Sequence, residues 1–230
     1  MEELLRTEML LGKEKVDGLA KKKVVVFGIG GVGGYVCEAL ARTGVGRIDL
    51  VDNDTVSLSN INRQIIALHS TVGRAKVDVM KERISDINPH IEVNAYNMLF
   101  TKENSRDIDF SAYDYVVDAI DMVSSKIELV LKCEEAGTPI IASMGTGNKQ
   151  NPCAFKVSDI YKTSVCPLAR VMRAELKKRG IKRLKVVYSE ETPVLQECAE
   201  GGKRVPASCA FVPSVAGLII ASEVIKDLVK

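Results

Sequence analysis

The sequence predicts an α/β fold, namely a Rossmann-like, mostly parallel sheet that is flanked by helices and extended by additional strands into a mixed sheet. Short β-branched runs alternate with segments of helical periodicity, which is typical of parallel strands joined by crossover helices. In addition, the glycine-rich stretch GIGGVGG at 28–34 directly follows the first β-branched run. With 230 residues, of which 46% are hydrophobic, the chain suits a single domain spanning 1–230.

The first 145 residues contain five strand-like runs between helical segments. Strands are predicted where β-branched or alternating apolar residues form short runs, and helices where apolar residues recur every three or four positions. Asn-Pro at 88–89 and Gly137 are helix-ending signals. The predicted strands are 21–28, 47–52, 91–96, 113–120 and 139–145, and the predicted helices are 2–19, 31–43, 73–88 and 124–136.

The pattern changes after residue 145. AFKVSDI (154–160) and LKVVYS (184–189) are predicted strands on either side of a basic helix at 165–179. The polar segment 189–206 is predicted to be a mobile loop, and SCAFVPSVAGLIIASEVIKDLV a strand end followed by an apolar helix. We therefore divide the domain into an N-terminal helical arm (1–20), a nucleotide-binding part (21–145) and a substrate-side part with the C-terminal helix (146–230).

Composition excludes several classes of protein. The net charge is only +2, so any site for nucleic acid must be a local basic patch. The N-terminus carries acidic residues and no signal-peptide pattern, and the longest apolar run is far shorter than a bilayer span. No two cysteines form a CxxC pair, which indicates a cytoplasmic protein without a disulfide framework. The six cysteines are Cys37, Cys133, Cys153, Cys166, Cys198 and Cys209.

A nucleotide site is predicted at the glycine-rich stretch. Gly28, Gly30 and Gly33 form GxGxxG between a strand and a helix, where the turn is tight and helix N–H groups face a phosphate. Asp52 ends the next predicted strand, at the position of an acid that binds a ribose. At this point NAD and ATP fit equally well.

Three charged residues favour ATP. Arg63 and Lys76 are cations that follow the ribose acid closely, and extra cations are needed when phosphoryl oxygens gain charge during a reaction. Asp121 follows the fourth strand and is predicted to hold Mg²⁺ on the phosphates. The alternatives are that Arg63 is an ordinary surface residue and that Asp121 caps the next helix.

Five motifs carry a resemblance to a known family. GIGGVGG, VDNDTVSLSNINRQ, VGRAKVD, NPHIEV and DAIDM occur in this order within residues 6–145. Together they resemble the superfamily of ubiquitin-activating enzymes and their bacterial relatives, the ThiF/MoeB/HesA adenylating proteins. The resemblance implies that a substrate carboxylate attacks the α-phosphate of ATP and releases pyrophosphate. It assigns ATP binding to Gly28, Gly30, Gly31, Gly33, Asp52, Asp54, Asn60, Arg63, Lys76 and Asp121.

The resemblance also implies a homodimer. RTEMLLG at 6–12 is similar to the family's N-terminal arm, in which an arginine reaches the ATP of the other subunit. Arg6 is therefore the expected trans arginine. The resemblance further implies that Arg63, Lys76, Asp121 and Arg6 act in the reaction and that Asp121 serves Mg²⁺. A carboxylate is already ionised at neutral pH, so the reaction needs positioning and charge neutralisation rather than a general base.

Two substrate classes remain open within the family. One is the C-terminal glycine of a small sulfur-carrier protein, and many members of that branch carry zinc-binding CxxC pairs that this chain lacks. The other is a modified adenosine of tRNA, and the chain resembles most the branch of tRNA threonylcarbamoyladenosine dehydratases. RVMRAELKKRGIKRLK at 170–185 has eight basic residues and one acid, as expected for an RNA-binding surface, although charge runs are also common on solvated faces.

Further alternatives concern the thiols and the class of protein. Cys198 and Cys209 are possible nucleophiles, activated by Lys203 or Arg204. An NAD-dependent reductase would bind NADH and release no pyrophosphate. A non-catalytic nucleotide-binding scaffold would tolerate the loss of Arg63.

Overall fold

A seven-stranded mixed sheet forms the centre of the computed structural model, which describes residues 2–194 and 206–230. The strand order is β3-β2-β1-β4-β5-β7-β6, and within this part of the chain each neighbouring pair is parallel except β6 and β7. The predicted mixed sheet is thus confirmed. The strands are β1 (Lys23–Phe27), β2 (Arg47–Val51), β3 (Glu92–Tyr96), β4 (Tyr115–Asp118), β5 (Ile140–Ser143), β6 (Phe155–Asp159) and β7 (Lys185–Ser189).

Helices cover both faces of the sheet. β1 shows why: Val24 and Val26 pack in one core cluster with α3 and α7, whereas Val25 and Phe27 pack in another with Phe110 and residues of α5. Burial on both faces is what a continuous β-branched run predicts for a parallel strand. The α-helices of the described residues are α1 (Leu5–Leu11), α2 (Lys13–Leu19), α3 (Gly33–Thr43), α4 (Lys76–Ile87), α5 (Val123–Ala136), α6 (Pro167–Lys178) and α7 (Phe211–Leu228).

The register brings the ends of four strands to one edge of the sheet. Phe27 lies opposite both Val51 of β2 and Asp118 of β4, and Asp118 lies opposite Ala142 of β5. The connection from β1 leads to β2 on one side, and β4 then continues the sheet on the other side. This edge is therefore a topological switch point, where open α/β sheets bind ligands.

Two predicted elements differ from the structure. Gly12 has φ +92° and ψ +143°, a backbone conformation that glycine adopts readily and other residues rarely do. It divides the predicted helix 2–19 into α1 and α2. The predicted strand end before the last helix is wrong: residues 206–209 form no strand, and α7 begins at Phe211. A short apolar run has no periodicity that separates a strand from a buried helix. Most of the predicted loop 189–206 lies outside the described residues.

The longest helix also bears on membrane topology. α7 is strongly apolar, yet no helix among residues 2–194 and 206–230 combines the length and apolar character needed to span a bilayer.

Candidate active site

The glycine-rich stretch forms a tight turn between β1 and α3. Gly28 has φ +87°, and a Cβ atom there would lie 2.6 Å from the Ala119 carbonyl oxygen. A Cβ atom on Gly33 would lie 1.8 Å from the Gly28 carbonyl oxygen, so neither position has room for a side chain. Gly30 is different, since a Cβ atom there would meet only Gln64 at 3.8 Å. The turn is thus closely packed on one side and open at Gly30 beside the α3 N-terminus, as a phosphate site requires.

Asp52 is fixed beside this turn. It follows β2 directly, and its two carboxylate oxygens accept hydrogen bonds from Ile29 N at 2.6 Å and Asp54 N at 2.8 Å. Each carboxylate oxygen can accept a second hydrogen bond, so the group remains able to bind hydroxyls. The predicted ribose acid therefore lies next to the predicted phosphate turn.

Lys76 and Asp54 form an ion pair at the same edge. The Lys76 Nζ atom lies 2.7 Å from Asp54 Oδ2; the lysine side chain is 6% exposed and the aspartate side chain 60%. Backbone contacts set this geometry, because Lys76 N donates to Asp54 O and Ala75 forms a bridge with Thr55. Lys76, which is predicted to contact phosphate, is thus paired with Asp54, which is also predicted to bind ATP.

The LSNINRQ stretch is a compact turn packed on the glycine turn. Its 3-10 helix spans Leu58–Asn60, and the Asn60 Oδ1 atom accepts a hydrogen bond from Ser57 N. A Cβ atom on Gly31 would lie 3.5 Å from Arg63 O. Asn60 is buried and holds the turn together, whereas Arg63 is half-buried and its guanidinium donates from Nη1 to Ser59 O and Asn62 Oδ1. The structure therefore brings the predicted arginine next to the phosphate turn.

Two further residues tie this turn to its surroundings. Asn62 Nδ2 donates to Ser208 O at 3.0 Å, which connects the turn to the segment before α7. Gln64 is buried beside Gly30, and its Oε1 atom has no hydrogen-bond partner in the described part of the chain. A buried acceptor without a donor is rare, and a bound ligand or water commonly satisfies it. Gln64 was not predicted as a site residue, although it directly follows Arg63 in the sequence.

Asp121 lies on the loop between β4 and α5. It is exposed, and its carboxylate forms no hydrogen bond or ion pair among residues 2–194 and 206–230. The N-cap of α5 is Met122, so the alternative interpretation of Asp121 as a helix cap is wrong. These residues contain no group of three acidic, histidine or cysteine side chains that would hold a metal alone. A single free carboxylate suits Mg²⁺, which is commonly bound by one or two carboxylates and by substrate phosphates.

An ion pair that sequence analysis missed lies beneath this loop. Lys126 of α5 and Asp118 of β4 are both 0% exposed, with 2.9 Å between Lys126 Nζ and Asp118 Oδ2. Complete burial raises the pKa of Asp118, and the Lys126 ammonium acts against this rise. The sequence contains DAIDM and a lysine four residues after it. That Asp118 and Lys126 form an ion pair depends on how β4 and α5 pack.

The substrate-side part contributes a third buried lysine. Lys149 follows β5 and donates from Nζ to Glu191 O, while the Glu191 carboxylate accepts from the backbone N–H groups of Gln150 and Asn151. Burial lowers the pKa of Lys149, and nearby Cys166 and Glu191 act against this change. Sequence analysis did not single out this lysine, because a lone lysine in a polar segment carries no pattern.

The remaining predicted residues lie apart from the turn. Arg6 is exposed on α1, and its neighbour Leu4 packs on Gly44, at the end of α3 opposite to the glycine turn. Cys209 is half-buried just before α7. Cys198, Lys203 and Arg204 lie outside the described residues.

The fold and the site together define a nucleotide-binding α/β protein whose phosphate turn is flanked by cations. A family model of the ThiF family matches residues 4–230. The chain belongs to the ThiF family, which confirms the predicted resemblance.

Three comparisons are informative. The chain is 45% identical to the tRNA threonylcarbamoyladenosine dehydratase of Bacillus subtilis, over 98% of this chain and 94% of the relative. It is similar to the crystal structure of E. coli tRNA N6-threonylcarbamoyladenosine dehydratase in complex with ATP, with a TM-score of 0.90 at 34% identity, covering 99% of this chain and 93% of that chain. Adenylyltransferase and sulfurtransferase UBA4 of Kluyveromyces lactis is 36% identical, over 60% of this chain and 30% of its own length.

Proposed function

We propose that the protein is an ATP-dependent dehydratase that adenylates the carboxylate of threonylcarbamoyladenosine in tRNA and drives its cyclisation. The observation that carries this proposal is the 45% identity to a dehydratase of that name over nearly the whole of both chains. The assembled turn, acid and cations support the ATP-dependent half of the reaction.

The chemistry proceeds in two steps. First, a carboxylate oxygen of the substrate attacks the α-phosphorus of ATP, the bond to the β-phosphate oxygen breaks, and pyrophosphate leaves. Second, a nitrogen of the urea-like side chain attacks the activated carbonyl carbon, loses its proton, and AMP leaves with the former carboxylate oxygen. The nucleoside thereby loses one water, and no thioester to Cys198 or Cys209 is required.

The residues of the site divide this work. The open turn at Gly30 and the α3 N-terminus bind phosphate oxygens, and Asp52 binds the ribose. Arg63 and Lys76 neutralise charge that develops on the α-phosphate and on the leaving pyrophosphate. Asp121 would hold Mg²⁺, and the metal would supply positive charge that offsets the charge of the phosphates.

The basic stretch supports tRNA as the substrate. On α6 and the turn after it, Lys177, Lys182 and Arg183 are exposed and form no ion pair within the described residues. Lys178 and Arg179, by contrast, are paired with Glu175. Unpaired cations are available to RNA phosphates, and their contacts release counterions on binding. Because tRNA and ATP meet in the cytoplasm, we place the protein there.

A homodimer in which Arg6 enters the partner's site completes the proposal. Leu5, Met9 and Leu10 on α1 are exposed by 53%, 81% and 83%, which leaves an apolar surface for a second subunit. Within one subunit, Leu4 packs near the end of α3 that is about 16 Å from the glycine turn. This separation supports a role of Arg6 in the partner's site rather than in that of its own chain.

A second candidate is adenylation of the C-terminal glycine of a ubiquitin-like sulfur carrier. The similarity to UBA4 favours it, but that similarity covers 60% of this chain, compared with 98% for the Bacillus subtilis dehydratase. A carrier or sulfur-transfer partner therefore stays the alternative.

The deciding experiment weighs the modified nucleoside. Protein, ATP and Mg²⁺ are incubated with tRNA that carries threonylcarbamoyladenosine, and the nucleosides are analysed by mass spectrometry after mild digestion. We expect an ATP-dependent loss of one water that D121A abolishes. An unchanged nucleoside, combined with pyrophosphate exchange driven by a Gly-Gly-ended carrier, would establish the second candidate instead.

A further inference from the structure

The buried ion pair of Lys126 and Asp118 lies directly under the loop that carries Asp121. Lys126 occupies the first turn of α5, and Asp118 is the last residue of β4. A buried ion pair adds little net stability compared with apolar residues of the same volume, because both charges lose their hydration. Which groups the pair contacts is therefore more informative than its contribution to stability.

Those contacts hold a single residue of the loop from both sides. The Lys126 ammonium donates to Ile120 O at 3.2 Å, and the Asp118 Oδ1 atom accepts from Ile120 N at 3.2 Å. The same ammonium donates to Ser143 O at 2.8 Å, which connects the ends of β4 and β5. Both polar backbone groups of Ile120 are thus fixed by the ion pair.

The neighbouring residue is fixed by the glycine turn. Ala119 N donates to Phe27 O at 2.8 Å, and the Ala119 carbonyl lies against Gly28. Asp121 follows these two constrained residues, and its carboxylate is exposed and has no protein partner in the described part of the chain. The backbone from which this carboxylate extends is consequently positioned by these contacts.

The Lys126 ammonium is surrounded by protein groups. It donates hydrogen bonds to Ile120 O and Ser143 O, and its Nζ atom lies 2.9 Å from Asp118 Oδ2 as an ion pair. The side chain is also 0% exposed. A direct contact between Lys126 and ATP is therefore excluded, unlike for Lys76.

We propose that Lys126 is a positioning residue, which with Asp118 clamps Ile120 so that the Asp121 carboxylate faces the metal–phosphate group. The inference rests on the proposed function, in which Asp121 holds Mg²⁺. The charge of the ammonium and its three-way contact would both be needed, so arginine should replace lysine in part and methionine should not.

Calorimetric titration of ATP tests this proposal, with Mg²⁺ and with EDTA in place of the metal. We expect K126M to reduce the gain in ATP affinity that Mg²⁺ provides by about tenfold, with binding in EDTA changed less than about twofold. K126R should restore much of the gain, and D121A should lose it. K132M changes a half-buried lysine of the same helix that pairs with the exposed Glu135, and it should behave like the wild type.

Each other result has a distinct meaning. If K126M keeps the gain while D121A loses it, the inference is wrong and the proposed function stands. If D121A keeps the gain, both the role of Asp121 and the inference fail. Equal losses with and without Mg²⁺ would indicate general damage to the site and overturn the positioning role. If circular dichroism shows that K126M is unfolded, D118N decides by the same titration, and a retained gain would reject the proposal.

Discussion

Arg63 is anchored at one end of its guanidinium only. Nη1 donates to Ser59 O and to Asn62 Oδ1, whereas Nη2 and Nε have no partner in the described residues. These remaining donors lie on a group that is already oriented, so little conformational entropy is lost when a phosphate binds. In the proposed function, the side chain would therefore be oriented for phosphate before ATP binds.

The first prediction concerns this arginine. R63A should lower the rate of ATP-dependent dehydration by about 10²–10³-fold, because it removes donors aimed at developing charge. Dehydration rates and urea unfolding curves should be measured together. R42A is the matched control, since Arg42 lies at the far end of α3 and Glu38 would keep its second partner, Arg83. Full activity in R63A would instead support a non-catalytic scaffold.

A second prediction concerns the pH dependence of stability. Partial burial of Asp227 opposes its ionisation, but hydrogen bonds from Lys230, Lys185 and Tyr115 outweigh this effect and lower its pKa to about 2. A lowered pKa stabilises the fold above the unfolded value of 3.8, and this contribution is lost as the pH falls towards 2. D227N should therefore reduce the free energy of unfolding by about 1–2 kcal/mol at pH 7, after allowance for solvent screening.

Urea unfolding at pH 7, 4.5 and 3 checks this prediction. The difference between D227N and the wild type should shrink at the lowest pH. D17N is the control, because the pair of Asp17 with Lys13 is exposed and contributes little. A pH-independent difference would mean that packing, not charge, explains the effect of D227N.

At the scale of elements, α7 packs against α3 and against the glycine turn that precedes it. Gly217 lies in the middle of α7, and a Cβ atom there would lie 2.4 Å from Val32 O and 3.0 Å from the Cβ of Tyr35. Pro213 of the same helix lies against Gly31. The apolar C-terminal helix thus supports the nucleotide site as well as the core.

G217A should therefore destabilise the protein by about 2 kcal/mol and weaken ATP binding, because α7 must move away from α3. G18A is the matched control: a Cβ atom on Gly18 meets nothing within 4 Å, so this change within α2 should be neutral or stabilising. Thermal unfolding and ATP titration measure both effects. Equal stability of the two variants would refute the close-packing argument.

The strands and most helices could be predicted because each is encoded by local periodicity. Seven predicted strands are found, whereas the strand end predicted before the last helix is not, and the positions of Gly28 and Asp52 follow from strand ends that share an edge of the sheet. The break at Gly12 was not predicted, since one glycine in a helical pattern is ambiguous. The Lys126–Asp118 pair and the unpaired Gln64 amide could not be predicted, because burial and pairing depend on residues that are distant in sequence.

At the scale of the whole molecule, the exposed cations without an ion pair lie at the C-terminal end of α6 and directly after it. α6 begins near the edge of the sheet that carries the nucleotide site, as the proximity of Gly145 to Cys166 shows. Lys177, Lys182 and Arg183 follow toward the opposite edge, about 18 Å away along the helix. A bound RNA would therefore extend from the active site across the side of the sheet.

The triple variant K177A/K182A/R183A should weaken tRNA binding and reduce the slope of log K against log salt by about one per lost contact. Filter binding at several salt concentrations measures both quantities. ATP binding should be unchanged, and K178A, whose lysine is paired with Glu175, is the control. An unchanged salt slope would place the RNA on another surface.

Subunit mixing tests the homodimer. R6A and R63A should each be nearly inactive, because each lacks an arginine donor at the developing charge, at a cost of about 10²–10³-fold. In a mixed dimer, the R6A subunit retains Arg63 and receives Arg6 from its partner, so one site is complete. An equimolar mixture should recover about a quarter of wild-type activity if subunits exchange randomly. If Arg6 acts within its own chain, no mixture would regain activity.

The Asp54 carboxylate next to Lys76 has a consequence for ligand selectivity. Without nucleotide, the ammonium already has a counter-ion, held in place by the backbone bond between Lys76 N and Asp54 O. A small anion such as inorganic phosphate would have to displace this tethered competitor with few compensating contacts. In the proposed function, a triphosphate would make several contacts at once, with the glycine turn, with Arg63 and with the helix N-terminus. We therefore expect the nucleotide-free protein to bind small inorganic anions weakly, because Asp54 already neutralises the Lys76 ammonium.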